Sequence, residues 1–245
     1  MFKDRSDAAQ QLAQRLLRYR GQHPLILAIP RGAVPMGSLL AEALQGDLDV
    51  VLVHKLCAPF DPEVAIGAID ETGHTWLAPH ASELGASAQY VQAERRRQLQ
   101  VLHERRQHCT AIRAPISAAG RLVIVVDDGL ATGATMMAAL SALRAQQPSR
   151  LVCAVPVASA EALRKIRPLA DEVICLSVPP FFQGVGQFYE TFEQVSDDEV
   201  MAQLHQRRLF NEPPSSLNQA NTSASASRRP AASLAASKGA ESRGH

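Results

Sequence analysis

No uninterrupted apolar run in this chain approaches the roughly 18 to 20 residues that cross a bilayer. The opening Met1-Phe2-Lys3-Asp4-Arg5 lacks the apolar core of a secretory signal. Together these absences lead us to expect a cytoplasmic protein with no membrane partner. Cysteine is sparse and scattered: Cys57, Cys109, Cys153 and Cys175 form no C-x-x-C pair, which excludes a zinc ribbon or a disulfide framework. Cys153 and Cys175 sit inside apolar runs and read as core residues. Neither sign of charge is in excess, with 25 Lys and Arg against 24 Asp and Glu, so a general nucleic-acid or membrane-surface binder is not expected. The Gly-rich dinucleotide fingerprint is missing. No Ser/His or Cys/His constellation supplies the nucleophile of a hydrolase. Aromatics make up only 4% of the chain, and Phe181, Phe182, Phe188, Tyr189 and Phe192 crowd into one short segment.

What is present suffices for a full core, since 46% of the 245 residues are hydrophobic. Helical spacing runs from Asp4 to Arg20 and stops at Gly21. A buried strand follows at Leu25–Ile29, then a helix at Val34–Leu44 with Pro35 in its first turn. The next apolar strand is expected at Leu48–Val53, with Lys55 closing the strand end. Ala65–Ala78 reads as a β-hairpin around Asp70-Glu71-Thr72-Gly73. Ser87–His108 is a long helix carrying Arg95, Arg96, Arg97, Arg105 and Arg106. No aromatics interleave with these arginines, so the reading is a solvated face rather than a binding patch. Strands at Leu122–Val126, Leu151–Val157 and Glu172–Val178 alternate with helices at Met136–Leu143 and Ala160–Ile166. A last helix starts at Asp197. Strands alternating with helices imply an α/β fold: a Rossmann-like, mostly parallel sheet of about five strands, flanked by helices joined through right-handed crossovers. We expect residues 1–210 to form one domain. Residues 211–245, rich in Ser, Ala and Pro, are expected to form a disordered tail.

Chemistry concentrates in Leu122-Val123-Ile124-Val125-Val126-Asp127-Asp128-Gly129-Leu130-Ala131-Thr132-Gly133-Ala134-Thr135. A buried strand, a small-residue turn and a helix N-terminus together make an anion site. Two adjacent carboxylates cannot serve an anion, so Asp127 and Asp128 suit sugar hydroxyls or a metal that travels with a phosphate. Pro30-Arg31-Gly32 lies at another strand end, where Arg31 offers a fork of donors to phosphate oxygens and Gly32 permits backbone approach. Lys55 offers a point charge, and His54 has no partner visible in the sequence. The aromatic segment Pro179–Phe192 either stacks on a flat acceptor or covers the core edge.

The stretch Val123–Thr135 resembles, nearly residue for residue, the phosphoribosyl-pyrophosphate (PRPP) signature of type I phosphoribosyltransferases. The resemblance extends to Ile29-Pro30-Arg31-Gly32, Gly67-Ala68-Ile69, Gln187-Phe188-Tyr189 and Gln194-Val195-Ser196-Asp197, and runs from Asp4 to about Leu209. It implies transfer of a 5-phosphoribosyl group from PRPP, with Mg²⁺, to a small nitrogen acceptor. Asp127 and Asp128 would be the catalytic pair, gripping the ribose diol and the metal directly or through hydroxyls and water. Together with Gly129, Ala131, Thr132, Gly133, Ala134 and Thr135 they would bind PRPP. Pro30, Arg31, Gly32 and Lys55 would bind pyrophosphate, in a loop that often holds a non-proline cis peptide. A small hood with a flexible hairpin over the site, and a homodimer, are also implied. Gly129 departs from the family, which prefers an aliphatic residue or Ser there, and should loosen the turn. Ala131 replaces the aspartate usual in hypoxanthine and guanine enzymes, which argues against a 6-oxopurine acceptor. The alternative is a PRPP-sensing regulatory protein that binds nucleic acid through its basic helix without catalysing transfer.

Overall fold

The computed structural model describes residues 1–110 and 115–211; beyond Asn211 the expected tail lies outside the described residues. The first helix, α1 (Arg5–Leu16), is capped by the Asp4 carboxylate, which accepts from the Asp7 amide. Its stripe of Ala8, Ala9, Leu12, Ala13 and Leu16 is buried. β1 (Leu25–Ala28) leads into α2 (Val34–Leu44), where Pro35 sits in the first turn and loses no helical hydrogen bond. β2 (Asp47–Val50) completes the first βαβ unit. Three strands, β3 (Val53–Ala58), β4 (Asp61–Asp70) and β5 (Thr75–Leu77), and the long helix α3 (Ala88–Thr110) precede β6 (Leu122–Val126). The chain continues through α4 (Ala134–Ala145), β7 (Arg150–Val157), α5 (Ala160–Ile166), β8 (Glu172–Ser177) and α6 (Asp197–Asn211).

The main sheet has five parallel strands, as the alternating pattern predicted, and their order is β2-β1-β6-β7-β8. Strand side chains alternate between faces, and both faces are apolar because helices cover both. Ile26, Ala28, Ile124 and Val126 join the core under α1 and α2. Leu25, Leu27, Val123, Val125 and Cys153 join the core under α4 and α5. Burial of Cys153, assisted by the charge of Asp127, pushes its thiol up in pKa and keeps it an inert core residue.

A second sheet, β3-β4-β5, is antiparallel and forms the hood. It corrects one expectation. The apolar run Leu48–Val53 is not one strand: β2 ends at Val50, and β3 begins at Val53 in the other sheet. Lys55 therefore lies within a hood strand, not at the end of a central one. Hydropathy missed the change of sheet because Val51, Leu52 and Val53 are all buried at the junction. The hood is held from both sides. Leu56, Ile66 and Ile69 share a core with Leu102 of α3, while Val53 and Ala68 share one with α4. The helix α3 is also less solvated than expected. Arg95 donates to the Gly73 carbonyl, and Arg106 to Asp49 and Glu71.

Candidate active site

In an open parallel sheet, ligands bind beyond the carboxyl ends of strands that lead off in opposite directions. Here β1 leads to β2 on one side, while β6 leads to β7 and β8 on the other. The two candidate turns, 30–32 and 127–135, follow these two neighbouring strands. They are tied together where the Ile29 amide donates to the Val126 carbonyl at 3.0 Å. The peptide bond between Pro30 and Arg31 is cis, the feature the resemblance implied for this loop.

A cleft of about 520 Å³ opens at this point. On the central-sheet side it is lined by Pro30, Gly32, Asp127, Asp128, Ala134 and Thr135. On the hood side it is lined by Val53, His54 and Lys55, with Arg105 from α3. Residues expected to bind PRPP and residues expected to bind pyrophosphate thus meet in one place. Arg31 is not among the lining residues. Its guanidinium lies 3.5 Å from Asp197, in a pair whose side chains are 45% and 62% exposed. Gly129, Ala131, Thr132 and Gly133 form the turn behind the lining, where the Ala131 carbonyl accepts from the Ser159 hydroxyl at 2.7 Å. The first turn of α4 leaves N–H groups without intrahelical partners, the usual cradle for phosphate. His54 has a partner after all: its Nδ1 lies 2.7 Å from Gln98 Oε1 on α3.

The two acids sit in unlike surroundings. Asp127 has its carboxyl pushed well up in pKa, first by burial and then by the neighbouring charge of Asp128. Its Oδ1 accepts from the Asp128 amide at 2.9 Å. Asp128 is paired with Arg5, whose Nε and Nη2 both donate to Oδ2 at 3.0 and 2.8 Å. Sequence reading missed Arg5 because the pair spans 123 positions. One local signal was present. A cation in the first turn of a helix opposes the macrodipole and needs a partner elsewhere.

The aromatic segment turns out to brace Asp128 rather than offer an acceptor platform. Tyr189 is buried, its hydroxyl donates to the Asp128 carbonyl at 2.6 Å, and its ring rests between Phe2 and Phe192. Burial and the Asp128 charge push its phenol up in pKa, so it stays a donor. Backbone hydrogen bonds clip residues 2–3 to 188–191. None of the five aromatics lines the cleft.

Two glycines are dictated by close approach. A Cβ at Gly32 would collide with Asp128 Oδ2 and lie 3.1 Å from Arg5 Nη2. At Gly129 it would meet Val185 at 2.6 Å and Val157 at 3.0 Å. Gly129 makes room for Val185, which fills the space an aliphatic side chain would take.

Known proteins resemble this chain in sequence and fold. A family model described as the phosphoribosyl transferase domain matches residues 60–192. The Mycobacterium tuberculosis protein Rv0571c, provisionally named a phosphoribosyl transferase, is 43% identical over 207 residues, covering 83% of this chain and 46% of that protein. Its counterpart in strain CDC 1551 has the same figures. The chain thus spans about half the length of these curated relatives. The crystal structure of TT1426 from Thermus thermophilus superposes with a TM-score of 0.78 at 43% identity, covering 84% of this chain and 98% of that one.

Proposed function

Because the chain belongs to the phosphoribosyl transferase family, we propose that it transfers the 5-phosphoribosyl group of PRPP to a small nitrogen acceptor and releases pyrophosphate. The observation that carries this reading is the shared cleft, which lines up the acid pair, the 30–32 loop and the N-terminus of α4. Asp127 and Asp128 hold the ribose hydroxyls and stabilise positive charge as the ring approaches an oxocarbenium ion. Ala131 to Thr135, with Gly129 setting the turn, cradle the 5-phosphate. The acceptor nitrogen attacks the anomeric carbon, the bond to pyrophosphate breaks with its electron pair, and the acceptor's proton passes to solvent. Pro30, Gly32 and Lys55 receive the leaving group. Arg31 joins them by exchanging Asp197 for a phosphate oxygen, and an exposed pair of that kind is worth at most about 1 kcal/mol.

Mg²⁺ fits the donor set as a metal carried by the substrate. Among the described residues no three His, Cys, Asp or Glu side chains are grouped to hold a metal alone. Mg²⁺ commonly uses one or two carboxylates and takes its remaining ligands from phosphates and water. Asp127 and Asp128 would supply those carboxylates, and the ion would neutralise charge developing on pyrophosphate. Ala131, which lacks a carboxylate to meet a purine N7, supports an acceptor other than a 6-oxopurine. The regulatory alternative has less support than the sequence suggested, because Arg95 and Arg106 of the basic helix donate to Gly73, Asp49 and Glu71 within the protein. A homodimer and a cytoplasmic location remain part of the proposal; no helix among the described residues is long and apolar enough to cross a membrane.

The test is a screen of nucleobases and small amines with PRPP and Mg²⁺, read by pyrophosphate release. Calorimetry of PRPP–Mg²⁺ binding to wild type and Asp128→Asn accompanies it. The variant should fold but lose about 100-fold or more in affinity, as expected for the charge-assisted contacts removed. Unchanged affinity would refute the assignment, and absence of release with every acceptor would shift weight to a sensor.

A further inference from the structure

Arg5 is built into the site more completely than a surface ion pair requires. Its side chain is 13% exposed and that of Asp128 16%. Two of its nitrogens converge on a single carboxylate oxygen, Oδ2, at 3.0 and 2.8 Å. The third, Nη1, donates to the Glu193 carbonyl at 2.6 Å. The guanidinium plane is covered by the Phe192 ring, with Cζ 3.9 Å from its centroid. Gly32 stands against the same oxygen: a Cβ there would collide with Oδ2 and lie 3.1 Å from Arg5 Nη2. Asp128 Oδ2 is thus clamped between α1 and the 30–32 loop. Its other oxygen, Oδ1, has no hydrogen-bond partner among the described residues, and Asp128 lines the cleft.

From this we infer that Arg5 is a positioning residue for the proposed transfer. It fixes Asp128 by Oδ2 so that Oδ1 alone is presented to the ribose diol, in register with the pyrophosphate loop across Gly32. The inference rests on the proposed function, since Asp128 must be a PRPP ligand for its orientation to matter. The planar fork matters as much as the charge. A lysine ammonium supplies a point charge without the fixed geometry that meets Asp128 and Glu193 together while resting over Phe192. A merely structural pair would affect melting and leave ligand affinity alone. A pair that only occupies the place of a cation would weaken binding, and its removal would tighten it.

The experiment titrates PRPP with Mg²⁺ into full-length wild type, Arg5→Ala and Arg5→Lys by calorimetry. Thermal melts are run alongside, and steady-state KM and kcat are measured with any acceptor that supports turnover. Arg5→Ala should lose about 10- to 100-fold in PRPP affinity, the range for one or two charge-assisted hydrogen bonds. Arg5→Lys should recover part of that loss, with a raised KM for PRPP and a smaller change in kcat. If Arg5→Ala fails to fold, Arg5→Lys carries the test: weakened binding with a near-native melt supports positioning, and wild-type affinity overturns it. Unchanged or tighter binding in Arg5→Ala also overturns it. If wild type itself does not bind PRPP, the proposed function fails and this inference falls with it. Binding by wild type with no effect of either variant overturns the inference alone.

Discussion

Arg5 and Arg106 each hold carboxylates far away in sequence, but they differ in charge balance and in what they face. Arg106 sits between two acids. Nη1 donates to Asp49 at 2.8 Å, Nε and Nη2 donate to Glu71, and Nη2 also reaches the Val50 carbonyl at 3.1 Å. The remaining oxygen of Asp49 accepts from the Ile116 amide at 2.9 Å. Burial opposes the charge on Arg106, but Glu71 and Asp49 outweigh it and hold its pKa above the usual arginine value. This cluster joins the end of β2, the hood hairpin and α3, and its carboxylate oxygens are engaged internally. Arg5 faces one acid, bonds only its Oδ2, and that acid lines a cleft. A cluster whose carboxylate oxygens are all engaged internally fits the work of fixing the hood. The pair with an oxygen to spare fits the proposed binding of a ligand.

Replacing Arg106 with Met should break this comparison on the stability side, with the largest effect. Asp49 and Glu71, whose side chains are 6% and 11% exposed, would face each other without a counter-charge. Removing one partner of a buried cluster costs about 3–5 kcal/mol, which in a domain of this size lowers Tm by roughly 10 °C. The PRPP affinity of the folded protein at low temperature should stay within a few-fold of wild type. A Tm within two or three degrees of wild type would show that the cluster is not holding the hood.

Gly32→Ala sharpens the functional side. The added methyl must displace Asp128 Oδ2 or the loop itself, so the expected loss is in ligand binding: about 10-fold in PRPP affinity if one charged hydrogen bond is misaligned. The cost in Tm should be only a degree or two, because the site faces a cleft that can absorb the shift. Equal affinity for the two proteins would mean that Asp128 has more freedom than the clamp implies.

The two clusters also mark where sequence reading succeeds and where it stops. The turn that follows β6 was legible because all its parts are local. The β-branched run Val123–Val126, the adjacent acids and the small-residue turn follow one another within one βα unit. The loop at 30–32 was legible for the same reason. Arg106 was read as a solvated helix residue and Arg5 was not singled out, because pairing over 57 and 123 positions leaves no periodic trace. The packing at Gly129 was out of reach on the same ground. Its partner Val185 arrives from the aromatic segment, so a substitution that looks permissive locally is compensated by tertiary contact. The division of Leu48–Val53 between two sheets was hidden because burial is continuous while topology is not.

The smallest effect should come from the arginine that most resembles the original picture of a solvated helix. Arg97 has a side chain 69% exposed and donates to Glu94 at 2.9 and 2.7 Å, three positions earlier on α3. Such a pair contributes at most about 1 kcal/mol, so Arg97→Gln should lower Tm by no more than a few degrees and leave PRPP affinity unchanged. The sign of its pH dependence follows from Glu94, whose carboxyl is held below its ordinary value chiefly by the hydrogen bond from Arg97, with burial opposing. A depressed carboxyl stabilises the fold above its unfolded pKa, about 4.3, and that contribution is lost as pH falls through the lower folded value. Wild type and Arg97→Gln should therefore differ in urea denaturation at neutral pH and converge in acid below the folded pKa of Glu94. A gap that persists there would mean that Arg97 acts through its aliphatic stem rather than its charge, and would move it closer in kind to the packed arginines than its exposure suggests.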